Sequence, residues 1–214
     1  MIEAVVFDLD GVLLDSEQVW DGVREQLTTE HGGRWQDRAH VEMMGMSSVE
    51  WSRYMHDELG VPDVPEKISA EVVRRLEDVY RERLPLIDGA REAVERLAAS
   101  WPLGLASSSN RELIDLVLEL SKLAPFFSVT VSSEEVARGK PAPDVYLEAT
   151  RGLGVPPERC AAVEDSRNGI RAAKAAGMRV VAIPNPHFPP DEAALELADL
   201  TLGSLGELSP STVA

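Results

Sequence analysis

The 214-residue chain is poor in positive charge: 21 Lys and Arg stand against 37 Asp and Glu, a net charge of -16. Nucleic acid and anionic membranes are gripped by Lys/Arg patches, so neither is an expected partner. Lysine is scarce, with only Lys67, Lys122, Lys140 and Lys174. A surface this acidic also repels phosphate at long range, so any phosphate site must bring its own local cation. Cysteine is nearly absent. Cys160 alone excludes an intrachain disulfide and fits a reducing compartment, and a small buried hydrophobe is its simplest role. No apolar run approaches the ~20 residues of a membrane span. The start, Met1-Ile2-Glu3, shows no basic n-region and no small-residue cleavage site, so no signal peptide is expected and a cytoplasmic location is. What remains, 44% hydrophobic and 27% charged, is the balance of a globular protein. The length suits one core domain, with or without a small insertion.

Short apolar runs that stop at polar clusters punctuate the chain. Ala4-Val5-Val6-Phe7 runs into Asp8-Leu9-Asp10-Gly11, and Leu103 to Ala106 into Ser107-Ser108-Ser109-Asn110. Ala161-Ala162-Val163 runs into Glu164-Asp165-Ser166, and Arg179 to Ile183 into Pro184-Asn185-Pro186. Such runs read as buried parallel strands whose carboxyl ends carry the active loops. Helical patterns separate them, from Asp88 to Ala99, Asn110 to about Leu120, Asp144 to Leu153, and Ser166 to Ala176 before Gly177. The alternation predicts an α/β fold, a Rossmann-like parallel sheet with helices on both faces and ligands at the carboxyl ends of the strands. Residues 17 to about 82 differ. Glu17 to Thr29, Ser48 to Leu59 and Pro65 to Leu84 all look helical, with no convincing strand between them. The expected organisation is a core of residues 1–15 and 85–214 and an inserted α-helical cap of residues 16–84. The Pro-rich stretch from Pro184 to Pro190 reads as a loop.

The polar clusters suggest one chemistry. Asp8 and Asp10, spaced by two as a strand ends, can project toward one site. A carboxylate can attack phosphorus to give an acyl phosphate, and a second acid can protonate the leaving oxygen and then deprotonate water. Taken alone, Asp-x-Asp is as readily a turn. Glu164 and Asp165 bring two more carboxyl groups, a crowding that is unfavourable unless a cation neutralises it. Mg²⁺, which takes oxygen ligands and pairs with phosphates, fits; capping of the next helix is the alternative for Asp165-Ser166. Ser107 and Ser108 lead into a helix start whose N–H groups suit a phosphoryl oxygen, or form an ordinary cap. Lys140, held out of a helix by Pro141 and Pro143, can neutralise Asp8 and a transferring phosphoryl; a solvated lysine is the alternative.

Taken together, the clusters resemble the haloacid dehalogenase superfamily of aspartyl phosphotransferases. Phe7-Asp8-Leu9-Asp10-Gly11-Val12-Leu13-Leu14-Asp15-Ser16-Glu17 is similar to its first motif, Ser107 to the second, Lys140 to the third, and Glu164-Asp165-Ser166-Arg167-Asn168-Gly169-Ile170 to the fourth. The resemblance covers nearly the whole chain and is strongest to the branch with β-phosphoglucomutase, 2-deoxyglucose-6-phosphate phosphatase and phosphoglycolate phosphatase. It implies Asp8 as nucleophile and Mg²⁺ ligand, and Asp10 as acid/base with its carbonyl on the metal. It also implies Asp165 and Glu164 near the metal, and Ser107, Ser108 and Lys140 on the phosphoryl oxygens. Asp10 argues against haloalkanoate dehalogenation, because relatives doing that chemistry lack it.

The cap loop Met43-Met44-Gly45-Met46-Ser47-Ser48 resembles the family's specificity loop, making Gly45, Met46 and Ser47, with Glu17, the expected substrate contacts. Mutases of the branch carry an Arg three positions after this Gly to grip a second phosphate. Here that position is Ser48; Arg53, about one turn on, is read first as a solvent-exposed arginine and second as a substitute. Trp20 and Trp51 are read first as cap packing and second as cavity lining. The expected function is a Mg²⁺-dependent, monomeric phosphatase of small phosphorylated metabolites, sugar phosphates first. A phosphosugar mutase and a non-catalytic binding protein on the same fold are the alternatives.

Overall fold

A computed structural model describes residues 1–186 and 188–214. The first strand, β1 (Ala4–Phe7), is buried at every residue. Four helices follow without a strand between them: α1 (Glu17–Glu30), α2 (Ala39–Met43), α3 (Ser48–Asp57) and α4 (Pro65–Glu82). The chain then alternates through α5 (Ala90–Ala98), β2 (Leu103–Ser107), α6 (Arg111–Ser121), β3 (Phe127–Ser132), α7 (Asp144–Leu153), β4 (Cys160–Glu164), α8 (Arg167–Ala175) and β5 (Arg179–Ala182). It ends with α9 (Glu192–Leu195), β6 (Leu200–Thr201) and α10 (Pro210–Val213).

The six strands are parallel, in the order β3-β2-β1-β4-β5-β6. Alternate side chains of β1 go to opposite faces, as the two-residue period requires. Val5 and Phe7 join Leu103, Leu105, Val94 and Ile114 in one apolar layer; Ala4 and Val6 join Ala106, Tyr146 and Ile170 in the other. Burying a side chain of Val or Phe size contributes about 1.5–3 kcal/mol, so this central strand is a rigid base for the residue that follows it. The chain winds outward from β1 through β2 to β3, then returns to β4 on the other side of β1. That reversal makes the crevice beyond the carboxyl ends of β1 and β4 a topological switch point.

The helical insertion lies closed over this crevice. Ser48 Oγ donates to Glu134 Oε1 at 2.8 Å, Asn168 Nδ2 to Met44 O at 3.4 Å, and Ser108 Oγ to Gly45 O at 3.4 Å. At its base, Leu14 bridges to Leu86 where the chain leaves and re-enters the core. Predicted and observed elements differ at a few places. The helix expected over Ser48 to Leu59 stops at Asp57, and that over Pro65 to Leu84 stops at Glu82. α2, β3, β6, α9 and α10 have no counterpart in the sequence reading. The described residues of the Pro184 to Pro190 stretch form no helix or strand; His187 lies outside the described residues.

Candidate active site

Asp8 is the first residue past β1, yet its N–H still donates to Val163 O at 2.9 Å, which fixes its carboxylate at the strand end. Because Phe7 lies opposite Val163, Asp8 faces the two acids that end β4. Carboxylate oxygens of Asp8, Glu164 and Asp165 come within 4.8 Å of one another, and all three side chains are buried. Lys140, in the loop between β3 and α7, is only 3% exposed. Its Nζ lies 2.9 Å from Asp8 Oδ1 and 2.6 Å from Glu164 Oε1.

Three buried carboxylates around one ammonium leave an excess of negative charge. Burial, reinforced by Glu164, pushes the Asp8 carboxyl up to about 8, against the pull of Lys140. Burial and the same neighbours raise Asp165 well above the usual carboxylate range. Burial alone would lower Lys140, but Asp8 and Glu164 more than offset it and hold the ammonium above its ordinary value.

The three carboxylates are not equivalent. Both oxygens of Glu164 are engaged: Oε1 accepts from Lys140 Nζ and from Tyr146 OH at 2.7 Å. Its Oε2 accepts from the N–H groups of Asp165 and Ser166 at 3.1 and 3.2 Å and from Ser166 Oγ at 3.1 Å. Asp165 Oδ1, by contrast, is buried without a hydrogen-bond partner among the described residues. An unpartnered carboxylate oxygen in a net negative pocket is costly unless a cation meets it. An all-oxygen, anionic donor set of this kind fits Mg²⁺. Glu164 thus belongs to the cluster by distance, while its hydrogen bonds tie it to Lys140 and to the start of α8.

Two glycines make room for these acids. A Cβ on Gly11, whose φ is +79°, would lie 1.9 Å from Asp165 Oδ2. A Cβ on Gly169 would lie 1.7 Å from Glu164 Oε1.

Asp10 is held by four hydroxyl and indole donors. Ser16 Oγ (2.6 Å) and Trp20 Nε1 (3.4 Å) reach Oδ1; Ser109 Oγ (2.6 Å) and Ser107 Oγ (3.4 Å) reach Oδ2. A cavity between the insertion and the sheet is lined by Asp8, Asp10, Glu17, Gly45, Met46, Ser108 and Lys140, all expected site residues. Trp20, Trp51 and Met44 also line it, so both tryptophans pack and face the cavity at once. Ser107 is fully buried just behind this surface. Ser47 is not part of the lining. Its Oγ and N–H both bond Glu50 Oε2, at 2.7 and 2.8 Å, capping α3. Arg53 is exposed to solvent, as its first reading has it, and is not among the lining residues, so it does not stand in for the mutase Arg.

Sequence reasoning missed Tyr146, Ser16 and Arg24. Tyr146 carries no local signal, being one aromatic on an amphipathic helix. Arg24 had one, since it falls four residues after Trp20 on the same helix face.

Comparison with known proteins agrees with this geometry. The pattern of the haloacid dehalogenase-like hydrolase family matches residues 2–177. Hexitol phosphatase B of Escherichia coli (strain K12) is 35% identical over 97% of this chain and 95% of its own length. A phosphorylated carbohydrates phosphatase of Thermotoga maritima is 33% identical over 83% of this chain and 82% of its own. The crystal structure of CbbY from Rhodobacter sphaeroides in complex with phosphate superposes with a TM-score of 0.87. It is 28% identical and covers 100% of this chain and 99% of its own. The chain is a hydrolase of the haloacid dehalogenase-like family, in the branch that its phosphatase and β-phosphoglucomutase-like relatives occupy.

Proposed function

We propose that this hydrolase is a Mg²⁺-dependent phosphatase of small phosphorylated metabolites, sugar phosphates foremost, working through an aspartyl-phosphate on Asp8. The observation that carries the reading is the pairing of Asp8 with buried Lys140 beside the unpartnered Asp165 Oδ1, in a cavity covered by a closed helical insertion. The sugar-phosphate emphasis takes its support from the hexitol and carbohydrate phosphatases among the relatives.

In this reading an Asp8 carboxylate oxygen attacks phosphorus, and the bond from phosphorus to the ester oxygen breaks. Asp10 delivers a proton to the departing alcohol, then takes one from the water that hydrolyses the acyl phosphate and frees Asp8. The four donors around Asp10 set the direction of its carboxyl group for both transfers. Lys140 and Ser108 hold the phosphoryl oxygens, while the hydroxyls of Ser107 and Ser109 stay on Asp10, and Glu164 orients Lys140. Asp8, Asp165 and the main-chain oxygen of Asp10 would hold Mg²⁺, which when bound neutralises charge on the phosphoryl oxygens. Residues 16–84 act as the cap that excludes water; Glu17, Gly45 and Met46 meet the rest of the substrate, and Ser47 shapes their loop through its helix cap. The protein works as a monomer in the cytoplasm.

The mutase reading has less support, since Ser48 bonds to Glu134 and Arg53 is exposed. The test is phosphate release from a panel of sugar phosphates by wild type and Asp8→Asn, with Mg²⁺ and with EDTA. Release by wild type with Mg²⁺ alone is expected. Release that survives in Asp8→Asn removes Asp8 as nucleophile, and no release from any ester removes the phosphatase reading.

A further inference from the structure

Arg24 lies on the inner face of α1 and is only 5% exposed. Its Cζ sits 4.5 Å from the centre of the Trp20 ring and 4.8 Å from that of Trp51, and the two indoles meet edge-on at 5.8 Å. The planar group is held by the two rings. Among the described residues no hydrogen bond or ion pair engages its guanidinium, and its Nε is buried without a partner. Arg74, Arg75, Arg111 and Arg138 each grip a carboxylate instead, and Arg179, whose Nε is also buried without a partner among the described residues, does not line this cavity. Glu17 and Asp21 are near enough to act on Arg24 through their charge, but neither approaches to ion-pair distance. A purely structural arginine this deep would be paired with one of them.

The unpaired group lines the same cavity as Asp8 and Lys140, and no other arginine does among the described residues. Burial lowers its pKa to about 10, so it stays cationic at neutral pH. The indole faces it covers are closed to a stacking sugar ring, and what the cavity presents here is a fork of N–H donors matched to a carboxylate or phosphate. We propose that Arg24 is a specificity residue that binds a second anionic group of the substrate, away from the phosphoryl group presented to Asp8. The proposal rests on the phosphatase reading of this cavity. Trp20, which carries the guanidinium on one face, also donates to Asp10 Oδ1 at 3.4 Å. The second anionic group would therefore sit beside the indole that reaches Asp10, as a phosphorylated acid or a sugar bisphosphate could place it.

The test compares matched substrates in Mg²⁺: a pentose bisphosphate against the pentose monophosphate, and a phosphorylated hydroxy acid against the phosphorylated alcohol of equal length. Wild type, Arg24→Met and Arg24→Lys are assayed, methionine being chosen because its thioether packs between aromatic rings. Wild type should prefer the two-anion member of at least one pair, and which pair tells phosphate from carboxylate. Losing hydrogen bonds to a charged partner should make the fall in kcat/KM on that member exceed the fall on its partner by roughly 10- to 100-fold in Arg24→Met, with the change in KM. Arg24→Lys should recover part of it. Binding of the same compounds to Asp8→Asn and to the Asp8→Asn, Arg24→Met double variant, by calorimetry, reads the contact without turnover. Equal losses on both members of each pair, or no two-anion preference in wild type by either readout, overturns the proposal. Failure of the phosphatase reading looks different: wild type releases phosphate from none of the four, while calorimetry still scores Arg24.

Discussion

Gly169 supports the site by lacking an atom, and Gly169→Ala tests that support directly. It sits in the first turn of α8, where a Cβ would fall 1.7 Å from Glu164 Oε1 and 1.9 Å from its Cδ. Glu164 has nowhere to go: it is 0% exposed and bound by five donors. In an open helix the same change would stabilise by about 1 kcal/mol. Here it forces overpacking, about 1–3 kcal/mol, and displaces the carboxylate from Lys140, a charged hydrogen bond of about 1.5–3 kcal/mol. Set against the propensity gain, the net loss is about 2–5 kcal/mol, a large share of a typical domain's stability. Gly22→Ala is the control. Gly22 lies in α1 with nothing within 4 Å of its added Cβ, so that variant should gain about 0.5–1 kcal/mol. Urea unfolding followed by circular dichroism, with unchanged m-values, measures both. A Gly169→Ala protein as stable as wild type, beside a stabilised Gly22→Ala, would refute the tight fit of Glu164. Activity of Gly169→Ala should fall as well, because Lys140 loses the carboxylate that orients it.

Glu164→Gln removes charge but nearly preserves shape, and its amide NH₂ must face either Lys140 and Tyr146 or the N–H groups of Asp165 and Ser166. A donor then meets donors in a dry site, and metal-free unfolding should show a loss of about 3–5 kcal/mol; no measurable loss would count against the network. Glu17 gives a pH signature. Burial, reinforced by the Asp10 charge, pushes its carboxyl from 4.5 up to about 7. Folded protein therefore keeps a proton that the unfolded chain loses between these values, so stability falls as pH rises through that window. The drop is up to about 3 kcal/mol for a fully buried carboxyl and smaller for half-buried Glu17. Glu17→Gln should abolish this part of the slope in EDTA-containing buffer between pH 4.5 and 7.5. A constant difference between the two proteins across that range would refute it.

Much of the site was legible because its acids, serines and lysine lie at strand ends or beside prolines, where local sequence already marks a change of direction. Asp8, Ser107, Lys140 and Glu164 all stand where an apolar run stops or a helix is forbidden. Elements without such marks went unseen. β3 is an alternating, partly exposed strand at the sheet edge; α2 spans five residues and β6 two. In these short segments the period is too brief to register, and neighbours supply the order.

By itself the sequence determined the class of fold, the run of helices between the first two strands, and the placing of acidic motifs and Lys140 at the ends of apolar runs or beside prolines. Those are local properties, set by hydrophobic period, turn residues and charge. Only the tertiary structure decided what these groups do to one another. Pairing of β1 with β4 brings Asp8 to Asp165, and burial turns proximity into a demand for a cation. Likewise Glu164 is saturated by donors from α7, the loop before it and the start of α8, while Asp165 keeps a bare oxygen. Ser47 turns to its own helix, and Arg24 sits against two indoles with no hydrogen-bond or ion-pair partner among the described residues. Each of these outcomes depends on which segments the strand order and cap closure place side by side, and no local pattern in the chain encodes that.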